Sequence, residues 1–101
     1  PVKTSHSESV NIEFENEYSF SEIKNLLKNA PGCKVIDEQK DGGYITPLEA
    51  AGDKATFISR IREDNSNKKA INLWIVSDNL LKGAALNTIQ IAEQLAKKMY
   101  K

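Results

Sequence analysis

The sequence predicts an α+β fold, a largely antiparallel sheet covered by helices on one face, and three observations carry that expectation. Val10, Ile12 and Phe14 alternate with Asn11, Glu13 and Glu15, the two-residue period of a strand with one buried face. Two runs rich in β-branched and aromatic residues, ATFISRIR (Ala55 to Arg62) and AINLWIV (Ala70 to Val76), flank the polar stretch EDNSNKK at hairpin spacing. Leu81, Ala84, Ala85, Thr88, Ile89, Ala92 and Leu95 recur at helical intervals. Strands at hairpin spacing with few helical crossovers favour antiparallel pairing.

The elements follow in order. After the first strand, Ser19 precedes Glu22 at the spacing of a capping box, and Ile23, Leu26 and Leu27 continue at helical intervals until Pro31-Gly32 stops the helix. Cys33 to Asp37 reads as a short strand, and Glu38 to Lys54, with Gly42-Gly43, Pro47 and Gly52, reads as a long loop. The hairpin strands come next. The last element is an amphipathic helix from about Leu80, with Lys97 and Lys98 in its final turns, where positive charge complements the helix dipole. Its first turns hold Gly83, Ala84 and Ala85 behind Ser77-Asp78-Asn79, small residues where packing would want bulk. Something is expected to come close to the backbone there.

Bulk properties narrow the function. A chain of 101 residues holds one modest core. Lys plus Arg and Asp plus Glu both number 14, which removes the electrostatic argument for a nucleic-acid or acidic-membrane partner. No stretch approaches the roughly eighteen apolar residues of a membrane span, and the lone Cys33 suits a reducing compartment, so the cytoplasm is expected. The chain starts at Pro1-Val2 without a methionine, as a piece of something longer would.

Few residues carry chemistry by type alone. His6, in KTSHSES, can serve as a general acid or base, or be a surface histidine near a frayed terminus. Cys33, in GCKVID, has only Lys34 as a cationic neighbour and reads as structural. Gly42-Gly43 is too short for a phosphate loop, and no metal-ligand pattern is present. Arg60 and Arg62, at strand spacing, either clamp an anion or pair with carboxylates across a subunit interface, and the interface is the expected use.

Three stretches, PVKTSHSESVNIEF, GYITPLEAAGDKATFISRIRED and INLWIVSDNLLKGAALNTIQIAE, resemble in order and spacing the C-terminal part of the aspartate-β-semialdehyde dehydrogenase family. The resemblance spans nearly the whole chain. It implies NADPH-dependent reduction of aspartyl phosphate to aspartate semialdehyde with release of phosphate, through a cysteine thioester, in lysine, methionine, threonine and diaminopimelate biosynthesis. It further implies residues 1–76 as the C-terminal part of a glyceraldehyde-3-phosphate-dehydrogenase-like catalytic and dimerisation domain. Residues 77–101 would form a terminal helix that returns to the nucleotide-binding domain, and the full-length protein would be a homodimer or homotetramer.

Carried over residue by residue, the family's R-[VI]-P-V-x-x-x-H-S pattern places the acid/base histidine on His6. The side-chain amide that contacts NADP falls on Asn79, which otherwise simply caps the helix. The pattern's arginine and the catalytic cysteine fall outside this sequence, so the chain alone is expected to be inactive. Two other readings stay open: a folded association module without chemistry, and a related acyl-phosphate reductase such as the N-acetyl-glutamyl-phosphate enzyme.

Overall fold

The computed structural model of the protein describes residues 2–100. Pro1, which opens the PVKTSHSES stretch, and Lys101 lie outside the described residues. Four strands, β1 (His6–Glu13), β2 (Cys33–Val35), β3 (Thr56–Asp64) and β4 (Asn67–Ser77), form one sheet in the order β1-β4-β3-β2. β4 pairs antiparallel with β1 from His6 opposite Ser77 to Glu13 opposite Ala70, and antiparallel with β3 on its other side. β2 runs parallel to β3, so the sheet is mixed at that edge. The predicted strands hold, and most run longer than their apolar runs because polar residues continue the ladders.

Alternation along β4 sorts the apolar residues to two faces. Ile71 and Leu73 point to the face that helix α1 (Phe20–Asn29) covers, where they meet Ile58, Ile61, Ile23 and Leu27. Trp74 and Val76 point to the other face, beside Phe57 and Ala50. A bulge in β3 makes this sorting work. Ser59 lies opposite Trp74 but Arg62 lies opposite Asn72, so Arg60 and Ile61 share one place in the register. Arg60 takes φ 53° to do so. The shift brings Ile61 to the same face as Ile58, and both are buried.

The segment read as a loop holds one helical turn, α2 (Pro47–Ala50). Its signature was present in Thr46-Pro47-Leu48-Glu49: Thr46 Oγ1 accepts from Glu49 N at 3.4 Å and Glu49 Oε2 accepts from Thr46 N at 2.8 Å. At Ser19 only half of that arrangement forms, with Ser19 Oγ accepting from Glu22 N. The approach to α2 is tied to the sheet at Ile45, whose N–H donates to buried Ser59 Oγ at 3.1 Å and whose carbonyl accepts from Trp74 Nε1 at 2.9 Å. Helices therefore meet both faces, though α2 covers only a corner of the second. Gly43 is obligatory in this loop, since a Cβ there would lie 2.2 Å from the Glu38 carbonyl oxygen.

The chain leaves β4 through a π-helical turn, Leu81–Ala85, that runs on into α3 (Leu86–Met99). The sequence predicts one regular helix here, but Gly83 N donates to Asp78 O and Ala85 N to Leu80 O, both five residues back. The side chain of Asp78 has claimed the amides of Leu80 and Leu81, which sets the wider frame of the first turn. No residue of the π turn or α3 is buried. The radius of gyration, 15.4 Å, exceeds the roughly 13 Å of a compact chain this long. Among the described residues, no helix is long and apolar enough to cross a membrane.

Candidate functional site at the end of the sheet

β1 begins where β4 ends, and that meeting point gathers the residues of interest. His6 is the first residue of β1 and pairs with Ser77, the last of β4. Its side chain is exposed, at the edge of the sheet. Strand pairing fixes its backbone, so it is a surface histidine on an ordered strand. Asn79 follows Ser77 by two residues, and its Oδ1 accepts a hydrogen bond from Ser5 N at 2.8 Å. Two residues 73 positions apart in sequence thus share one corner.

Ser5 makes the turn into β1 with φ 69°, a left-handed backbone that a serine adopts only when its surroundings hold it there. It is 5% exposed, and its hydroxyl finds no partner among the described residues.

Asp78, which carries no expected role in the sequence, organises the exit from β4. Its Oδ2 accepts from Gly52 N at 2.7 Å, and its Oδ1 accepts from Leu80 N at 2.8 Å and Leu81 N at 3.2 Å. The Gly52 amide, then those of Leu80 and Leu81, hold its carboxyl below the ordinary carboxylate range against the opposing effect of burial. Asp78 is therefore the cap of the terminal helix and ties it to the α2 loop. Asn79 does not cap the helix. An aspartate just before an apolar helical stripe was the available signal.

Cys33 is remote from this corner. The backbone row His6, Ser77, Thr56, Cys33 crosses all four strands. Three strand spacings put Cys33 about 14 Å from His6, beyond any proton exchange between them. Cys33 packs, half-buried, under α1. Arg60 and Arg62 line a concavity on the second face of the sheet with Ser9, Tyr44 and Trp74. No group of three or more His, Cys, Asp or Glu side chains among the described residues could hold a metal ion.

Beyond Asn79 the surface is bare. Gly83, Ala84 and Ala85 are exposed, and a Cβ on Gly83 would make only ordinary contacts, 3.7 Å from Asn79 Cβ. Nothing within the chain requires glycine there. Further along α3, Ile89, Ile91 and Leu95 are each more than half exposed.

A family model described as "Semialdehyde dehydrogenase, dimerisation domain" matches residues 1–82. The aspartate-semialdehyde dehydrogenase of Rickettsia bellii is 52% identical over 97 residues, covering 96% of this chain and 29% of that protein. The Bacillus subtilis enzyme is 48% identical over 98 residues, covering 96% of this chain and 28% of its own length. A crystal structure of aspartate semialdehyde dehydrogenase II of Vibrio cholerae, complexed with ASA, superposes with a TM-score of 0.82 at 32% identity, over 93% of this chain and 27% of that one. The chain thus spans less than a third of the length of these relatives. Sequence and fold agree, and the chain belongs to the aspartate-semialdehyde dehydrogenase family, through the part described as its dimerisation domain.

Proposed function

We propose that these residues supply the acid/base histidine and the cofactor-facing helix start of an NADP-dependent aspartate-semialdehyde dehydrogenase. The reaction is the reduction of aspartyl phosphate to aspartate semialdehyde and phosphate, serving lysine, methionine, threonine and diaminopimelate biosynthesis in the cytoplasm. The observation that carries this reading is the convergence of His6 and Asn79 at one end of the sheet through the 2.8 Å bond from Ser5. NADPH supplies the hydride when bound.

The residues of this corner suit those tasks. His6 is exposed on a fixed backbone, so its imidazole can exchange a proton with a substrate lodged against the sheet edge. Asn79 Nδ2 makes no hydrogen bond among the described residues and remains a free donor for a carboxamide oxygen. The bare Gly83 surface admits a planar group close to the backbone. The family's cysteine nucleophile and substrate-binding arginine have no counterpart assigned among these 101 residues, so no turnover is expected from them alone.

Residues 1–76 serve as catalytic and dimerisation body, and residues 77–101 return to a nucleotide-binding domain, in a homodimer or homotetramer. The unburied face of α3 supports the second assignment, and the family description supports the first. The test is an assembled enzyme in which these 101 residues replace the matching segment of the Bacillus subtilis relative. Phosphate-dependent reduction of NADP by aspartate semialdehyde is the expected result. A folded assembly that binds NADP and substrate without turnover refutes it. That outcome would favour the second reading, an association module alone, which the dimerisation description also supports.

A further inference from the structure

We infer that Asn79 is a positioning residue for His6: its carbonyl oxygen holds the Ser5 turn that aims the histidine, while its amide N–H2 is left to donate to a ligand. The inference rests on the catalytic reading of His6 and deepens it. Three observations carry it. The hydrogen bond from Ser5 N to Asn79 Oδ1 is short, 2.8 Å, and partly buried. Ser5 sits at φ 69° without the freedom of glycine, so the turn needs an external hold, and the residue it controls is the next one, His6. Asp78 has already taken the capping role beside it, so the Asn79 side chain has no helical duty.

The donor in this bond is a backbone N–H, so the acceptor must be the amide oxygen, and the orientation of the Asn79 side chain follows from chemistry alone. An asparagine whose oxygen already accepts from Ser5 N still has both N–H groups uncommitted, so donation is what it chiefly offers a ligand. A carboxamide or phosphate oxygen satisfies those donors. The same side chain then links ligand contact on one side to the aim of His6 on the other.

Aspartate at this position keeps the acceptor for Ser5 N–H and removes the donor, whereas alanine removes both. In the 101-residue chain, hydrogen exchange of the Ser5 amide should accelerate about tenfold or more in Asn79→Ala and return to near the parent rate in Asn79→Asp. In the assembled enzyme at saturating cofactor, Asn79→Ala should lower kcat by roughly tenfold, and Asn79→Asp should recover most of that loss. Asn79→Asp should also raise the dissociation constant for NADP about two- to tenfold, because the donor is gone.

Equal Ser5 exchange in all three proteins, or equal kcat in the two variants, overturns the positioning role. Full NADP affinity in Asn79→Asp overturns the donor assignment. A failure of the underlying catalytic reading is told apart by His6→Asn: were that variant fully active, kcat would report nothing of position, while the Ser5 exchange rate would still decide whether Asn79 holds the turn.

Discussion

The sheet and the terminal helix of this chain use the same kind of apolar pattern to opposite ends. In β3 and β4, Ile58, Ile61, Ile71 and Leu73 are buried and α1 closes over them. In α3 an equally regular stripe covers nothing: Ile89 is 57% and Leu95 56% exposed. An amphipathic stripe left in water has lost the main source of helix stability. The difference teaches that the pattern of the sheet is satisfied within the chain, whereas that of the helix is not, which is why we propose that it docks on a surface elsewhere. The proposed catalytic corner lies at the joint between the two, with His6 on the sheet side and Asn79 on the helix side.

The sharpest way to break this division is at His6. In the assembled enzyme, His6→Asn should lower kcat by about a hundred- to ten-thousandfold with little change in KM, because acid/base assistance acts on the transition state. If asparagine restores the rate that alanine loses, His6 orients substrate by a hydrogen bond and moves no proton. Steady-state kinetics of both variants decide between these.

Next in size is the contrast between the two stripes. Ile71→Ala should destabilise the 101-residue chain by about 2 to 5 kcal/mol in urea unfolding, as deletion of buried methyl groups does. Leu95→Ala should change it by less than about 0.5 kcal/mol, the usual range for an exposed position. Comparable losses at both sites would mean that α3 packs on the sheet after all.

A smaller effect sharpens the description of the joint. Asp78→Ala removes the acceptor of three amides and should lower Tm by roughly 5 to 10 °C. The sign of its pH dependence follows from the direction of its shift. A carboxyl whose folded-state pKa lies below its unfolded value contributes fully above that unfolded value, near 4, and loses the contribution as pH falls through the folded one. Parent and variant Tm values should therefore differ at pH 6 and draw together progressively as the pH falls below about 4.

The parts of the molecule that repeat were readable and the parts that depend on a single contact were not. Alternation in β1 and the helical spacing of α1 and α3 each rest on several residues pointing the same way. The α2 turn has four residues, too few for any period, and only the Thr46 to Glu49 pairing announced it. The bulge at Arg60 changes which face Ile61 serves without any glycine to mark it. The widened turn at Leu81–Ala85 depends on which amides Asp78 captures. His6 and Asn79 stand out only through the family resemblance, because nothing in their local sequence says that residues so far apart meet. Asp78 and Asn79 are adjacent and chemically alike, and only the amides of Gly52, Leu80 and Leu81 single out the aspartate.

Amide hydrogen exchange of the 101-residue chain tests the division between sheet and helix most directly. Amides of β4 such as Leu73 and Val76 should be protected to the level of global unfolding, while those of Ile89, Ile91 and Leu95 should exchange orders of magnitude faster. In the assembled enzyme the α3 amides should gain protection as their stripe is covered. Protection of α3 equal to that of β4 in the isolated chain would contradict the claim that this helix is built for a surface outside it.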